Sequence, residues 1–338
     1  MLIQDAIRAV VSGRDLTQEQ AAAVMEQIMT GEATPAQIAA LLTALHLKGE
    51  TDAEIAGMAE VMREKAVHVH YDGPVLDTCG TGGDAANTFN ISTAAAFVAA
   101  GAGVTVAKHG NRAMSSRCGS ADVLEGLGVN IDLDAEGVSR CLREAGIGFM
   151  FAQRFHPAMR YVGPVRREIG IRTAFNVLGP LTNPANAQYQ VLGVAAVELA
   201  EKLARALSRM GTRHALVVHG TDGVDELSLS APSLVWEVRA GAEPRRYEID
   251  PQELGLPRAP RAAVLGGTVA DNVAIIRGVL SGAQHGPQRE IVLLNAAAAL
   301  LAAERAADWR EALALARQSL DSGAAQQRLE AMVRASQA

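Results

Sequence analysis

Three stretches of this chain combine residue types that do chemistry together. The first is Asp77-Thr78-Cys79-Gly80-Thr81-Gly82-Gly83-Asp84, followed closely by Thr88-Phe89-Asn90-Ile91-Ser92-Thr93. Glycine lets backbone amides approach an oxyanion with no Cβ in the way, and a helix opening near Asn90 to Thr93 adds unpaired amides at its positive dipole end. Phosphate is the natural guest of such a strand-loop-helix unit. Thr88, Asn90, Ser92 and Thr93 can either cap that helix or hold phosphate oxygens. The glycines alone would also suit a flexible turn, and it is their polar neighbours that favour an anion. The spacing matches neither the phosphate loop of nucleotide hydrolases nor the Gly-x-Gly-x-x-Gly of dinucleotide binders, which disfavours both activities.

The second stretch is Lys108-His109-Gly110-Asn111-Arg112. It directly follows an expected strand at Val104 to Ala107, so its cations emerge at a strand's carboxyl end, where open α/β sheets place their ligands. Ser115-Ser116-Arg117-Cys118-Gly119-Ser120-Ala121-Asp122 then supplies hydroxyls and a small-residue loop suited to a second phosphate cradle. Taken singly, Lys108 reads as a solvated surface charge and His109 as a packed histidine; together with Gly110 and Asn111 they read as a site. The third stretch is Asp225-Glu226, hard oxygen ligands that suit Mg²⁺, an ion that keeps waters and is shared with substrate phosphates. An exposed acidic turn is the other reading of that pair. His68 and His70 lack any partner spacing for zinc and read as structural, and nothing marks Cys79 as a nucleophile.

The elements that must position these groups fall into two patterns. Over residues 1–66, Thr17-x-x-Gln20, Thr34-x-x-Gln37 and Thr51-x-x-Glu54 are capping boxes, each ahead of apolar residues at helical spacing. Gly31 and Gly49 stand where helices stop. Three or four helices and no strand are expected there. From about Val75, short β-branched runs alternate with alanine-rich segments. Strands are expected at Val75–Asp77, Val104–Ala107, Val129–Ile131, Phe149–Phe151, Val191–Val194, Ala215–Val218 and Ala263–Leu265, with helices at Glu198–Met210 and Ile291–Glu304. The fold class is therefore α/β: a small all-helical domain plus a larger α/β domain with a mostly parallel central sheet flanked by helices. The boundaries expected are 1–66 for the helical domain, rejoined by about 160–187 around a helical Val165–Ile169, and 70–159 with 188–338 for the α/β domain.

Composition narrows the function classes. Of 338 residues, 49% are hydrophobic and 20% charged, the balance of a packed globular protein. A net charge of -6 and only 4% aromatics argue against a nucleic-acid binder, so any anion must be met locally. The three cysteines, without a C-x-x-C pair, fit a reducing cytoplasm better than a disulfide framework. The first residues lack the order of a signal peptide, and the longest apolar stretch, Ala94 to Ala107, is too short and glycine-interrupted to span a bilayer, so no membrane role is expected.

Together, the Asp77–Asp84 motif, Lys108–Arg112, Gly119–Asp122 and Asp225-Glu226-Leu227-Ser228 resemble those of the anthranilate phosphoribosyltransferases of tryptophan biosynthesis, over nearly the whole chain. The related pyrimidine nucleoside phosphorylases share the domain order but carry Lys-His-Ser before the glycine loop, where Asp77-Thr78-Cys79 stands here. The resemblance implies transfer of the phosphoribosyl group of phosphoribosyl pyrophosphate to the amine of anthranilate. By position, it implies that Gly80, Gly83, Asp84, Thr88, Asn90, Ser92, Thr93, Lys108, Ser116 and Ser120 hold phosphoribosyl pyrophosphate. Gly80, His109, Asn111 and Arg166 would receive anthranilate, His109 in a positioning role, with no general base indispensable. Ser92, Asp225 and Glu226 would serve Mg²⁺, two ions per subunit, and a cytoplasmic homodimer through the helical domain is implied. The alternatives are a pyrimidine nucleoside phosphorylase and a non-catalytic nucleic-acid-binding paralogue.

Overall fold

The computed structural model describes residues 1–113 and 117–338. Four helices come first: α1 (Ile3–Val11), α2 (Gln18–Met29), α3 (Pro35–Lys48) and α4 (Asp52–Glu64). Thr17, Thr34 and Thr51 each accept a hydrogen bond from the amide three residues on, and Gln20, Gln37 and Glu54 reach back to the threonine amide. Each box satisfies two amides that a helix start leaves without partners. Gly49 closes α3 at φ 83°, a backbone that favours glycine. The apolar stripes of α2, α3 and α4 bury against one another in one cluster.

The α/β part runs β1 (Leu76–Gly80), α5 (Ile91–Gly101), β2 (Val106–Gly110), α6 (Ser120–Gly126), α7 (Ala135–Ala145), β3 (Ile147–Phe151) and the short α8 (Ala152–Phe155). Two helices, α9 (Gly163–Ile169) and α10 (Phe175–Leu178), interrupt it. Val162, Val165, Phe175, Leu178 and Leu181 of this interruption share the apolar cluster of α1 to α4. Arg63 of α4 donates to the Leu181 carbonyl at 2.8 Å and to Asn186 Oδ1 at 3.2 Å. The chain resumes with β4 (Tyr189–Gly193), α11 (Val197–Arg209), β5 (His214–Gly220), β6 (Ser233–Arg239) and β7 (Arg245–Ile249). It ends in α12 (Val269–Leu280), α13 (Pro287–Ala302), α14 (Trp309–Asp321) and α15 (Ala324–Gln337).

The seven strands form one sheet in the order β3-β2-β1-β4-β5-β6-β7, with parallel pairing from β3 through β5 and antiparallel pairing at β6 and β7. Alternation along β5 sends Leu216 and Val218 into one core and Ala215 and Val217 into another. The first core holds α5, whose mostly apolar sequence suits a helix covered on all sides.

Four expectations need correction. Val129–Ile131 is a loop: it finds no strand to pair with and buries its apolar side chains while the Asn130 amide donates to Ser336 Oγ of α15. Ala263–Leu265 is a 3₁₀ turn ending in a single bridge between Leu265 and Thr88. The strand expected at 104–107 starts later and contains Lys108 and His109 themselves, and β1 continues past Asp77 to Gly80. The antiparallel pair β6 and β7 was not anticipated; its alternating Leu-Val-Trp-Glu-Val pattern covers the β5 edge.

Candidate active site at the sheet's switch point

From β1 the chain builds outward through β2 to β3, then returns to place β4 on the other side of β1. Such a reversal opens a crevice at the strands' carboxyl ends, where α/β sheets hold ligands. Gly80, last in β1, is the register partner of Gly193, last in β4. A Cβ on Gly80 would stand 2.5 Å from Asp225 Oδ2, and one on Gly193 would fall on the Asp225 carbonyl, 2.6 Å from its carbon. Two bare α-carbons thus form a slot for Asp225. The glycine loop closes over it: Thr81 N donates to Gly193 O at 2.9 Å and Gly82 N to Asp225 Oδ2 at 2.7 Å. Gly82 and Gly83 turn with φ of 64° and 81°. Asp84 Oδ2 accepts from Asp225 N at 3.4 Å. One loop amide expected to face phosphate is therefore held by the protein's own carboxylate.

Glu226 accepts a hydrogen bond from the Ser92 amide at the start of α5. Lys108, buried, donates to the Thr78 carbonyl and to Ser92 Oγ at 3.3 Å. Burial and then the Asp84 carboxylate push Asp225 up to about 7. Burial and Asp225 push Glu226 well above the usual carboxylate range, with Lys108 opposing them. Burial likewise lowers Lys108, against the pull of Asp77 and Glu226. The cluster has an unmet demand for positive charge.

Around it, Thr93 is buried with its hydroxyl unpartnered among the described residues. The Asn90 side chain donates to the Cys118 carbonyl at 3.1 Å and accepts from Asn272 at 3.0 Å, so it ties α5 to α6 and α12. Thr88 lines a cavity of about 240 Å³ together with Asn87, Arg117, Leu265 and Asn272. Ser120 opens α6 and donates to the Asn111 carbonyl at 3.3 Å. Ser116 lies outside the described residues, as does Ser115. Arg112 pairs with Asp122 and Glu125, so this cation of the basic stretch is already matched.

His109 packs on His156, ring centroids 5.0 Å apart, and is held by the Gly179 carbonyl while its Nε2 finds no partner among the described residues. Burial, then His156, lowers His109 to about 3, and burial lowers His156 to about 4, so both rings are neutral at pH 7. Asp77 is fully buried behind them, accepting from His109 N at 3.2 Å and from Asn183 Nδ2 at 2.8 Å. Asn111 Oδ1 accepts from the Arg112 amide at 2.8 Å. Arg166 lies on α9 with its guanidinium 5.6 Å from the Phe175 ring centre, lowered by burial.

The site thus brings together Gly80, Gly83, Asp84, Ser92, Lys108, Asp225 and Glu226, with His109 next to Lys108 on β2; Asn111 follows β2, and Arg166 belongs to the interrupting segment. Sequence reasoning missed Gly193, His156, Asn183 and Arg172, whose guanidinium rests on Gly83. The donors Asp84, Asp225, Glu226 and Ser92 are hard oxygens whose mutual repulsion a divalent cation offsets, which fits Mg²⁺. Among the described residues no group of three or more His, Cys, Asp or Glu side chains is placed to hold a metal ion by itself.

Residues 4–66 match the helical bundle domain of a glycosyl transferase family and residues 72–326 its a/b domain. The anthranilate phosphoribosyltransferase of Chloroflexus aurantiacus is 71% identical over 333 residues, 98% of each chain. The crystal structure of the Thermus thermophilus anthranilate phosphoribosyltransferase superposes with TM-score 0.92 at 48% identity, covering 99% of this chain and 100% of the other. The Saccharomyces cerevisiae enzyme in complex with phosphoribosyl pyrophosphate and Mg superposes with TM-score 0.90 at 27% identity, covering 99% and 98%.

Proposed function

The chain belongs to the anthranilate phosphoribosyltransferase family, and from that premise we propose how its cleft works. The protein transfers the 5-phosphoribosyl group of phosphoribosyl pyrophosphate to the amine of anthranilate, giving N-(5-phosphoribosyl)anthranilate and pyrophosphate. One observation carries the reading: the glycine loop, Lys108, Ser92 and the Asp225-Glu226 pair converge at the switch point between β1 and β4. A nucleoside phosphorylase has no comparable support here, since Asp77-Thr78-Cys79 precedes the loop. Anthranilate consumption with phosphoribosyl pyrophosphate and Mg²⁺ is the test, and folded protein without turnover refutes it.

In this reading Gly80, Gly83, Asp84, Thr88, Asn90, Ser92, Thr93, Lys108, Ser116 and Ser120 hold phosphoribosyl pyrophosphate. Ser92, Asp225 and Glu226, helped by Asp84, hold Mg²⁺, two ions per subunit. Mg²⁺ supplies neutralisation of the charge that develops on departing pyrophosphate. The glycine slot fixes Asp225, and Lys108 fixes the start of α5 through Ser92, so the donors are set before the bond to ribose C1 breaks. Gly80, His109, Asn111 and Arg166 hold anthranilate with its amine towards C1. The N–C1 bond forms as the C1–O bond breaks, and the amine proton is lost to water or to the leaving pyrophosphate. His109, lowered to about 3 by burial and by His156, is too weak a base to be indispensable and acts by shape.

Residues 1–66 rejoined by 160–187 form the unit that closes against 70–159 and 188–338; Val162, Val165, Phe175, Leu178 and Leu181 pack with α1 to α4, in an apolar cluster that continues into β4, α11 and β5. Scattering profiles with and without both substrates test closure, and identical profiles refute it. The homodimer uses the helical domain: Leu2 is 64% exposed, Val11 71% and Leu47 80%. Leu47→Glu is expected to halve the mass in sedimentation. A cytoplasmic location is supported by three free cysteines and a biosynthetic reaction; among the described residues no helix is long and apolar enough to cross a membrane.

A further inference from the structure

Beyond Gly170, which ends α9 at φ 69°, the chain turns back with Ile171 exposed and Thr173 buried, and between them Arg172 reaches the glycine loop. Its Cζ and Nη2 lie 3.1 Å from the point where a Cβ of Gly83 would stand. The guanidinium therefore occupies the open face that Gly83 leaves, coming from the segment between α9 and α10, which packs on α1 to α4, and not from a strand of the sheet. Arg112 is taken by Asp122 and Glu125, whereas among the described residues Arg172 pairs with no carboxylate. On the sheet side, Lys108 is one buried ammonium against Asp77, Asp84, Asp225 and Glu226. A pyrophosphate added to that wall brings further negative charge, and a guanidinium facing it meets two of its oxygens with two parallel donors.

We propose that Arg172 grips the pyrophosphate end of phosphoribosyl pyrophosphate from the opposite wall, so that the substrate itself bridges the two walls of the cleft. The inference rests on the phosphoribosyltransferase reading and adds to it a cation that departs with neither metal nor product. Gly83 then has two reasons to be glycine: its φ of 81° and the seat it leaves for Arg172.

The test is calorimetric titration of Mg²⁺-pyrophosphate into wild type, Arg172→Gln and Arg172→Lys, alongside KM for each substrate. Arg172 is exposed, so both variants are expected to melt like wild type. Arg172→Gln should weaken pyrophosphate at least tenfold and raise KM for phosphoribosyl pyrophosphate in step, with KM for anthranilate changed less than twofold; Arg172→Lys should recover part of the loss. Pyrophosphate affinity within twofold of wild type in Arg172→Gln, or equal rises in both KM values, overturns the assignment. A wild type that turns over anthranilate keeps the underlying reading intact in that case, whereas a wild type that binds no Mg²⁺-pyrophosphate sinks both.

Discussion

Gly193→Ala is the sharpest test of how the acidic pair is held. Its new Cβ would meet the Asp225 carbonyl, 2.6 Å from the carbonyl carbon, where ordinary contact begins at 3.4 Å. The obstacle is backbone and not a swinging side chain, and the carbonyl oxygen stands closer still, so the segment carrying Asp225 and Glu226 must retreat by more than about 1 Å. A misplacement of that size costs on the order of 10²-fold in rate, or about 3 kcal/mol of transition-state stabilisation. The assay is steady-state anthranilate consumption at several Mg²⁺ concentrations, on protein whose circular dichroism matches wild type. A roughly hundredfold fall in kcat/KM with a raised Mg²⁺ requirement is expected. A folded variant with kcat/KM within threefold of wild type and an unchanged Mg²⁺ response refutes the slot argument.

His109→Asn should retain single-turnover chemistry to within about tenfold, since a ring titrating near 3 contributes little as a base; abolished chemistry with both substrates still bound would contradict this. His109 and His156 have folded values below the ordinary 6.5, so the unfolded chain takes up protons first. Their contribution to stability is complete above about pH 6.5 and is lost as pH falls towards 4 and 3. Melting temperature should consequently fall more steeply in wild type than in a His109→Asn/His156→Asn variant between pH 6.5 and 4; comparing the two also cancels Asp77, which burial raises to about 6 and whose pH dependence has the opposite sign. Asn183→Ala removes donors at 2.8 Å to both Asp77 Oδ2 and the Ala107 carbonyl, and leaving them buried and unpaired should cost about 2–4 kcal/mol by denaturant titration. A loss under 0.5 kcal/mol would mean that water replaces Asn183.

How much of this was legible in the sequence depended on whether a residue's reason lay nearby in the chain. The boxes at Thr17, Thr34 and Thr51 are three-residue relations and stand as read. The glycine loop was legible as an anion seat, but Asp225 as the partner of the Gly82 amide was not, because the two are joined only when β4 pairs with β1. Gly193 stood unremarked inside the strand expected at Val191–Val194; its bare α-carbon makes sense only once another backbone is seen to approach it. His156 and Asn183 were silent for the same reason. Val129–Ile131 had the composition of a strand and failed for want of a neighbour, whereas β6 and β7 had one in β5 and were overlooked.

The Asp225 carboxylate on the Gly82 amide has a consequence for what the cleft admits. A free anion such as inorganic phosphate arriving without a cation finds the Gly82 amide already occupied by Asp225, whose carboxyl burial and Asp84 push up to about 7 and further negative charge would push higher. An anion that travels with Mg²⁺ turns the same carboxylate into a ligand. In the proposed reading, a preference of the loop for a chelated polyphosphate over a bare anion would reside in Asp225 rather than in the glycines around it.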